Sequence, residues 1–169
     1  MSRIHITGLS QMPMHVRELG PTHLISVVQP EYQPQRPPEI PEERHLRIAV
    51  HDVSEDDGWS VVVGTPEIRR ILEFAESWEP EGGDLLVHCL AGVSRSTATA
   101  LIAHYLKTGN ALASAIALRR SVPYAVPNRR IVELADDELE LGGGLISARE
   151  RMGPPTSPFY EERLATLEL

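Results

Sequence analysis

The most reactive side chain in the sequence is Cys89, which stands in the stretch HCLAGVSRS at residues 88–96. It is the only cysteine of the chain, with His88 directly before it and Arg95 six positions after it. A thiolate is a strong nucleophile, and a guanidinium can bind the oxygens of a phosphate group through two parallel hydrogen bonds. Together these residue types favour nucleophilic attack on phosphorus.

The elements predicted around Cys89 place it between a strand and a helix. The apolar run LLVH at 85–88 predicts a strand buried on both faces, and residues 94–109 predict a helix that ends at Gly109. Backbone N–H groups of such a tight loop can converge on one anion, and the positive end of the helix dipole adds to the attraction. This environment favours the thiolate form of Cys89 at neutral pH. The N–H groups expected to bind phosphate belong to Leu90, Ala91, Gly92, Val93, Ser94 and Arg95.

Strands precede this loop and helices follow it. Apolar runs and helical periodicity predict three more strands and three more helices, over residues 4–8, 23–29, 46–50, 64–78, 111–120 and 127–141. The proline-rich stretch at 30–43 predicts an exposed loop with polyproline character. The order of the elements is typical of a layered α/β domain.

Length and composition limit the class of protein. A chain of 169 residues favours one domain, which we expect to occupy residues 1–141, followed by a tail at 142–169 with one or two short helices. The net charge of −8 argues against a nucleic-acid partner, because an acidic protein is repelled by phosphate backbones. A single cysteine excludes an internal disulfide and fits a reducing compartment. The sequence has neither a signal-like N-terminus nor an apolar run of membrane-spanning length, so we expect a cytoplasmic protein with no membrane partner.

The stretch HCLAGVSRS resembles the His-Cys-x5-Arg-Ser/Thr signature of the cysteine-based protein tyrosine phosphatase superfamily, and it is most similar to the dual-specificity branch. Two other segments resemble parts of that branch, VPNRRIVELADDEL at 126–139 and LRIAVHD at 46–52. We interpret the chain as a bacterial-type member. The resemblance implies a central, mostly parallel sheet of four to five strands flanked by helices. It also implies a two-step hydrolysis of phosphomonoesters through a phosphocysteine, with no metal or other cofactor.

The resemblance also implies roles for single residues. Cys89 would be the nucleophile, and Arg95 would bind the phosphate oxygens. Ser96 would stabilise the thiolate that leaves in the second step, although a serine at this position can instead bond its own backbone. His88 would order the loop through hydrogen bonds. Asn128 has two interpretations, a tie between the adjacent loop and the catalytic loop, or the N-cap of its own helix.

The general acid is sought among Asp52, Asp56 and Asp57. Expulsion of a phenoxide needs a proton donor, and the same carboxyl group can then activate water for the second step. Asp52 directly follows the strand predicted at 46–50, which is where the family places its acid, so we predict Asp52. Asp57 is the reserve, although SEDDG at 54–58 is also typical of a solvated turn.

The composition of the predicted phosphate-binding loop bears on the substrate class. The predicted phosphate-binding loop carries no lysine, and in this superfamily that favours a singly phosphorylated substrate over an inositol phosphate. We expect a phosphorylated protein, with phosphotyrosine first and phosphoserine or phosphothreonine as further candidates.

Three alternatives stay open. The same scaffold could serve a small-molecule or nucleotide-related phosphatase that takes a small phosphomonoester. A pseudophosphatase could bind phosphate without turnover, although the intact Cys89, Arg95 and Ser96 argue against it. A sulfurtransferase or redox protein could use a similar loop, but the chain lacks a second, resolving cysteine.

Overall fold

A computed structural model describes residues 2–158 and 163–169 of the chain. Five strands in these ranges form one sheet: β1 Arg3–Gly8, β2 His23–Val28, β3 His45–Ala49, β4 Leu85–Cys89 and β5 Ala165–Glu168. Their order across the sheet is β3-β2-β4-β1-β5. The first four run parallel and β5 pairs antiparallel with β1, so the predicted α/β class and the mostly parallel sheet are confirmed.

Six α-helices lie in the same described ranges: α1 Met12–Leu19, α2 Thr65–Ser77, α3 Arg95–Thr108, α4 Ala111–Ser121, α5 Arg129–Glu138 and α6 Gly144–Arg151. Single turns of 3-10 helix occur at Pro30–Tyr32, Glu42–Arg44 and Pro80–Gly82. Of the helices described, none is both long enough and apolar enough to cross a membrane.

Helices cover both faces of the sheet, and the central strand β4 shows this most clearly. All five of its residues are buried. Leu85 and Val87 belong to the large apolar cluster that contains residues of α2 to α6, whereas Leu86 packs with Met12 and Val16 of α1. Because alternate side chains of a strand point to opposite faces, a strand buried on both faces is mostly apolar. The polar ring of His88 is the exception in β4, and both of its nitrogens are hydrogen-bonded. β4 therefore carries the loop after Cys89 on a rigid support.

Sequence analysis missed α1 and β5. Helix α1 buries only Met12, His15 and Val16, because its remaining residues face solvent, and an apolar stripe this short gives a weak periodic signal. β5 lies at the edge of the sheet, where Leu167 pairs with Ile4 and is fully buried. Four residues of strand are too few to stand out in a polar segment.

The C-terminal tail was expected to hold one or two short helices, and the structure has one helix, α6, and one strand, β5. Asp136, which is 1% exposed, positions α6 because its carboxylate accepts hydrogen bonds from the N–H groups of Gly143, Leu145 and Ile146. A domain limit at residue 141 stays a prediction, and the part of the expected tail at 159–162 lies outside the described residues.

The proline-rich stretch at 30–43 is exposed only in part. Pro37 and Ile40 are buried, and Ile40 joins the apolar cluster of α1. Gln33 anchors the start of the stretch, since its Nε2 donates to the carbonyl oxygens of Val28 and Ile48 at 2.8 and 2.9 Å. This segment therefore completes the cover over one face of the sheet.

Candidate active site

The loop at 90–94 connects the carboxyl end of β4 to the first turn of α3. Gly92 in this loop has a φ of +75°, in the left-handed region that favours glycine. A Cβ atom at this position would lie 2.9 Å from the backbone carbonyl carbon of Thr7, at the end of β1. The loop therefore packs so closely on its neighbouring strand that only glycine fits at its turn.

Cys89 ends β4 and is 2% exposed. The N–H of Gly92 donates to its Sγ at 3.3 Å, and the Ser96 Oγ lies 3.1 Å from the same sulfur. Both groups can donate a hydrogen bond to a thiolate, and α3 adds the positive end of its dipole. The sulfur is thus surrounded by groups that complement negative charge.

Five further N–H groups in this region have no acceptor within the part of the chain that the structure describes; they belong to Leu90, Ala91, Val93, Ser94 and Arg95. Unpaired N–H groups between a strand and a helix N-terminus form the kind of concavity that binds tetrahedral oxyanions. The loop can therefore bind a phosphoryl group beside the Cys89 sulfur.

The guanidinium of Arg95 is held on one side and free on the other. Its Nη1 donates to Gln29 Oε1 at 2.9 Å and to the Val50 carbonyl oxygen at 2.7 Å. The residue is 3% exposed, and its Nε is buried without a partner among the described residues. Gln29 and Val50 follow β2 and β3, so the ends of two strands orient Arg95 and leave Nε available to an oxyanion.

Asp52 stands next to the loop at 90–94. Its Oδ1 accepts a hydrogen bond from Ser94 Oγ at 2.7 Å and from Asn128 Nδ2 at 2.9 Å. Its Oδ2 accepts none from the described residues, and the residue is exposed. One oxygen is therefore fixed while the other can carry a proton to or from a bound ligand.

Asn128 makes both contacts that the sequence left as alternatives. Its Oδ1 accepts from the Ile131 N–H at 3.1 Å, which is the N-cap bond of α5. Its Nδ2 donates to Asp52 and, at 3.3 Å, to the Val53 carbonyl oxygen. The Asn128 N–H also donates to the Ser94 carbonyl oxygen at 3.1 Å. This single side chain therefore connects a helix terminus, the segment after β3 and the catalytic loop.

Asp57, the reserve candidate for the general acid, is hydrogen-bonded within its own turn. Its Oδ1 accepts from the N–H groups of Trp59 and Ser60 at 2.9 and 2.7 Å, and its Oδ2 accepts from Ser60 Oγ at 2.8 Å. These bonds stabilise the carboxylate and lower the pKa of Asp57 to about 2. Asp56 is also hydrogen-bonded within this turn, because its Oδ1 accepts from the Gly58 N–H at 2.8 Å. Because its pKa is lowered, the carboxyl group of Asp57 binds a proton less readily, which makes it a poorer general acid.

His88 is fully buried behind the loop. Its Nδ1 bonds the Cys89 carbonyl oxygen at 3.1 Å, and its Nε2 bonds Ser26 Oγ at 2.7 Å. Burial lowers the pKa of His88 to about 4, so the imidazole is neutral at physiological pH. The role of His88 in ordering the loop stays a prediction.

The described residues contain no group of three or more His, Cys, Asp or Glu side chains arranged to bind a metal ion. The site is built instead from one thiol, one guanidinium, one carboxyl group and backbone N–H groups.

Solved structures share this arrangement of strands and helices. The phosphatase PTP-2 of Cydia pomonella superposes with a TM-score of 0.60, at 21% identity, over 79% of this chain and 84% of its own. A mouse putative dual specificity phosphatase, solved with zinc tungstate, gives a TM-score of 0.62 at 19% identity over 86% of each chain. DUSP15 gives 0.59 at 23% identity, over 88% of this chain and 89% of its own.

This chain has the fold of the cysteine-based protein tyrosine phosphatases. In sequence, it is 36% identical over 109 residues to dual specificity protein phosphatase 15 of mouse, and 35% identical over 109 residues to the rat protein of the same name. Each match covers 63% of this chain and 41% of the relative, so the chain spans less than half the length of the curated relatives that it matches. No family model matches. The predicted resemblance is confirmed, whereas a bacterial-type origin stays a prediction.

On this phosphatase fold, the structure brings together Cys89, Arg95, Ser96, Asp52 and Asn128 around one loop. The acid candidates Asp56 and Asp57 are instead bound into a local turn. Sequence reasoning missed the two acceptors that orient Arg95. A signal was present, because Gln29 and Val50 are the last residues of two predicted strands, and polar groups at the carboxyl ends of parallel strands gather at one edge of a sheet.

Proposed function

We propose that the chain is a cysteine-dependent phosphatase that hydrolyses phosphomonoesters of proteins, phosphotyrosine first, with phosphoserine and phosphothreonine as further substrates. The observation that carries the proposal is one sulfur, Cys89 Sγ, beside five backbone N–H groups and the Nε of Arg95, none of which has a partner among the described residues. Similarity to dual specificity phosphatases supports it. So does the tungstate in the mouse structure, because tungstate is a tetrahedral oxyanion like phosphate.

In the first step, the Cys89 thiolate attacks phosphorus, forming an S–P bond while the bond between phosphorus and the ester oxygen breaks. Arg95 and the loop N–H groups stabilise the charge that develops on the three equatorial oxygens. Asp52 gives its proton to the departing ester oxygen, so the alcohol or phenol leaves neutral. Ser94 and Asn128 position this carboxyl group through the bonds to Oδ1.

In the second step, water attacks the phosphocysteine. Asp52, now ionised, takes a proton from that water, a new P–O bond forms and the S–P bond breaks. The thiolate of Cys89 leaves, stabilised by hydrogen bonds from Ser96 Oγ and the Gly92 N–H. Inorganic phosphate and the starting enzyme are the products, and no cofactor takes part.

A protein substrate is favoured by the apolar surface on the segments around the site. Eight large hydrophobic residues are exposed among those described, and five of them lie on these segments: Tyr32, Trp59, Val61, Leu90 and Val126. Trp59, 93% exposed, is the extreme case. Exposed apolar groups around a polar site are typical of surfaces that contact another protein. A small phosphomonoester would leave most of them unused.

We also propose that the protein acts in the cytoplasm, because a nucleophilic thiol needs a reducing compartment. The net charge of −8 argues against a nucleic-acid partner.

Turnover of p-nitrophenyl phosphate by Cys89→Ser tests the proposal. We expect the variant to lose about 10⁴-fold or more in kcat at every pH, because a serine hydroxyl is not ionised in this site. Wild-type activity should be inhibited by orthovanadate and unaffected by chelators. Near-normal turnover by a folded Cys89→Ser variant would overturn the mechanism. Faster turnover of inositol phosphates or small esters than of phosphopeptides would overturn the substrate class.

A further inference from the structure

A basic cavity of about 370 Å³ opens beside the edge strand β3, and no step of the proposed reaction uses it. Its lining consists of Arg36, Arg47, Arg70, His45 and Glu42. Within the described part of the chain, none of these three arginines forms an ion pair. Three cations facing one carboxylate make the cavity attractive to anions, in a chain that is acidic as a whole.

The three guanidiniums are held to different degrees. Arg36 Nη1 donates to the carbonyl oxygens of Ile40 and Pro37, and Arg70 Nη2 donates to the Arg47 carbonyl oxygen at 3.1 Å. The Arg47 guanidinium donates to no residue in the described ranges. The first two arginines are therefore positioned by the backbone, and Arg47 is available to bind a ligand.

A chain of hydrogen bonds links this cavity to the catalytic loop through the sheet. It runs from the Cys89 carbonyl oxygen to His88, from His88 Nε2 to Ser26 Oγ at 2.7 Å, and from Ser26 Oγ to His45 Nε2 at 2.8 Å. The direction of each bond is fixed. A carbonyl oxygen only accepts, so His88 Nδ1 carries the proton, and the neutral ring must accept at Nε2 from the Ser26 hydroxyl.

Ser26 then has only a lone pair to offer, so His45 Nε2 must be the donor. Burial and the nearby Arg47 lower the pKa of His45 to about 4, which leaves the ring neutral. A neutral imidazole with its proton on Nε2 has a bare lone pair on Nδ1. This Nδ1 is buried and has no partner among the described residues, and His45 lines the cavity. The cavity therefore offers cations together with one acceptor that needs a hydrogen-bond donor.

We propose that this cavity binds inorganic phosphate, with Arg36, Arg47 and Arg70 around the anionic oxygens and the phosphate hydroxyl donating to His45 Nδ1. Inorganic phosphate keeps at least one proton near neutral pH, so it offers both charge and a donor. Sulfate offers charge alone. A phosphate monoester loses its last proton with a pKa of about 6, so it too is mostly without a donor at neutral pH. The site is separate from Cys89 and does not depend on catalysis.

The test is a phosphate titration of the full chain labelled with ¹⁵N-histidine, in which ¹H–¹⁵N correlations report on His45 Nδ1. Cys89 is first carboxymethylated, so that the catalytic loop is blocked, and the absence of other cysteines makes this selective. We expect a saturable shift of the His45 Nδ1 signal with phosphate and none with sulfate at equal ionic strength. A parallel titration of untreated protein covers the case in which Cys89 resists alkylation.

Arg47→Gln should weaken phosphate binding about tenfold or more, because it removes a charged hydrogen-bond donor. Arg120→Gln makes the same change at an exposed position of α4 outside the cavity, and should bind like wild type. An unmoved His45 signal would overturn the proposal. So would equal binding of sulfate, or an Arg47→Gln variant that binds phosphate as tightly as wild type.

Discussion

Two loops at the carboxyl edge of the sheet contribute to the candidate site in opposite ways. The proposed catalytic loop at 90–94 follows the central strand β4, packs between α3 and β1, and presents mainly backbone N–H groups. The acid loop at 51–61 follows the edge strand β3, is largely exposed, and presents one side chain, that of Asp52. One loop works through its backbone, the other through a single carboxyl group.

The acid loop is closed by its own bonds. The N–H of His51 donates to the Val61 carbonyl oxygen, and the Val61 N–H donates to His51 Nδ1, both at 2.9 Å. At the tip of the loop, the Asp57 carboxylate accepts hydrogen bonds from the N–H groups of Trp59 and Ser60. The loop reaches the rest of the site through Asp52 and Val53, which Ser94 and Asn128 hold. The position of Asp52 therefore depends on two side chains from distant parts of the chain. The loop at 90–94 is placed instead by the strand before it, the helix after it and the neighbouring strand β1.

Among the variants that compare the two loops, the largest effect should come from a methyl group added at Gly92. In Gly92→Ala, the new Cβ meets the backbone of Thr7, so the loop must move and its N–H groups lose their alignment. Each misplaced oxyanion donor costs about 10²–10³-fold, so we expect kcat/KM for p-nitrophenyl phosphate to fall by about 10³-fold or more.

Gly109→Ala is the matched control, because Gly109 has nearly the same φ, +71°, with no atom within 4 Å of the added Cβ. Both variants should lose about 1 kcal/mol of unfolding free energy from strained backbone, but only Gly92→Ala should lose activity. Equal activity of the two variants would show that the close approach to Thr7 does not matter for the loop.

The catalytic loop could be predicted from the sequence because local signals determine it. An apolar run, a cysteine, a glycine and a helix start are all within residues 85–96, and the structure has the strand, the turn and the helix there. The hydrogen-bond donors of this loop are backbone N–H groups, so their presence does not depend on the identity of most side chains. The register of the strand and the start of the helix were sufficient to place them.

The acid loop could be predicted only in part. Asp52, Asp56 and Asp57 lie within six residues, and spacing alone cannot separate them. Asp52 differs from the other two because Ser94 and Asn128 hydrogen-bond to it, and these residues are 42 and 76 positions away in the chain. The strand β5 and the Arg95 acceptor Gln29 escaped prediction for the same reason, because long-range contacts determine them.

Removing each carboxylate tests this difference directly. Asp52→Asn should lower kcat by about 10²-fold on phenyl phosphate, whose leaving group needs a proton, and less on p-nitrophenyl phosphate. Asp57→Asn should stay close to wild type on both substrates, because that carboxylate is bound into its own turn. Steady-state rates across a series of leaving groups measure the effect. If Asp57→Asn shows the steeper dependence on leaving group, the two residues must exchange roles.

A smaller effect concerns stability. The pKa of His88 is lowered from 6.5 to about 4 by burial, so between these values the unfolded chain binds a proton that the folded chain does not. Folding stability is therefore fully present above pH 6.5 and falls as the pH drops toward 4. The loss from His88 alone is about 3 kcal/mol.

Urea unfolding of wild type and His88→Asn between pH 7 and 4 measures this loss. The variant should be less stable at neutral pH and should show a shallower decline on acidification, because His88 no longer contributes. Asp57→Asn is the control from the acid loop. The pKa of the Asp57 carboxyl is lowered from 3.8 to about 2, so its contribution to stability is lost only below about pH 4, and the decline of the variant in this window should match that of wild type. Parallel curves for His88→Asn and wild type would contradict a neutral, buried His88.

The central claim, that Cys89 itself receives the phosphoryl group, is tested most directly by rapid-quench mass spectrometry during a single turnover. Ser96→Ala, which removes the hydroxyl 3.1 Å from the sulfur, should slow the departure of the thiolate, so the intermediate accumulates. We expect one phosphoryl group on the peptide that contains Cys89, formed at the rate at which the phenol is released. Release of the phenol with no phosphoryl group on that peptide at any time would contradict it.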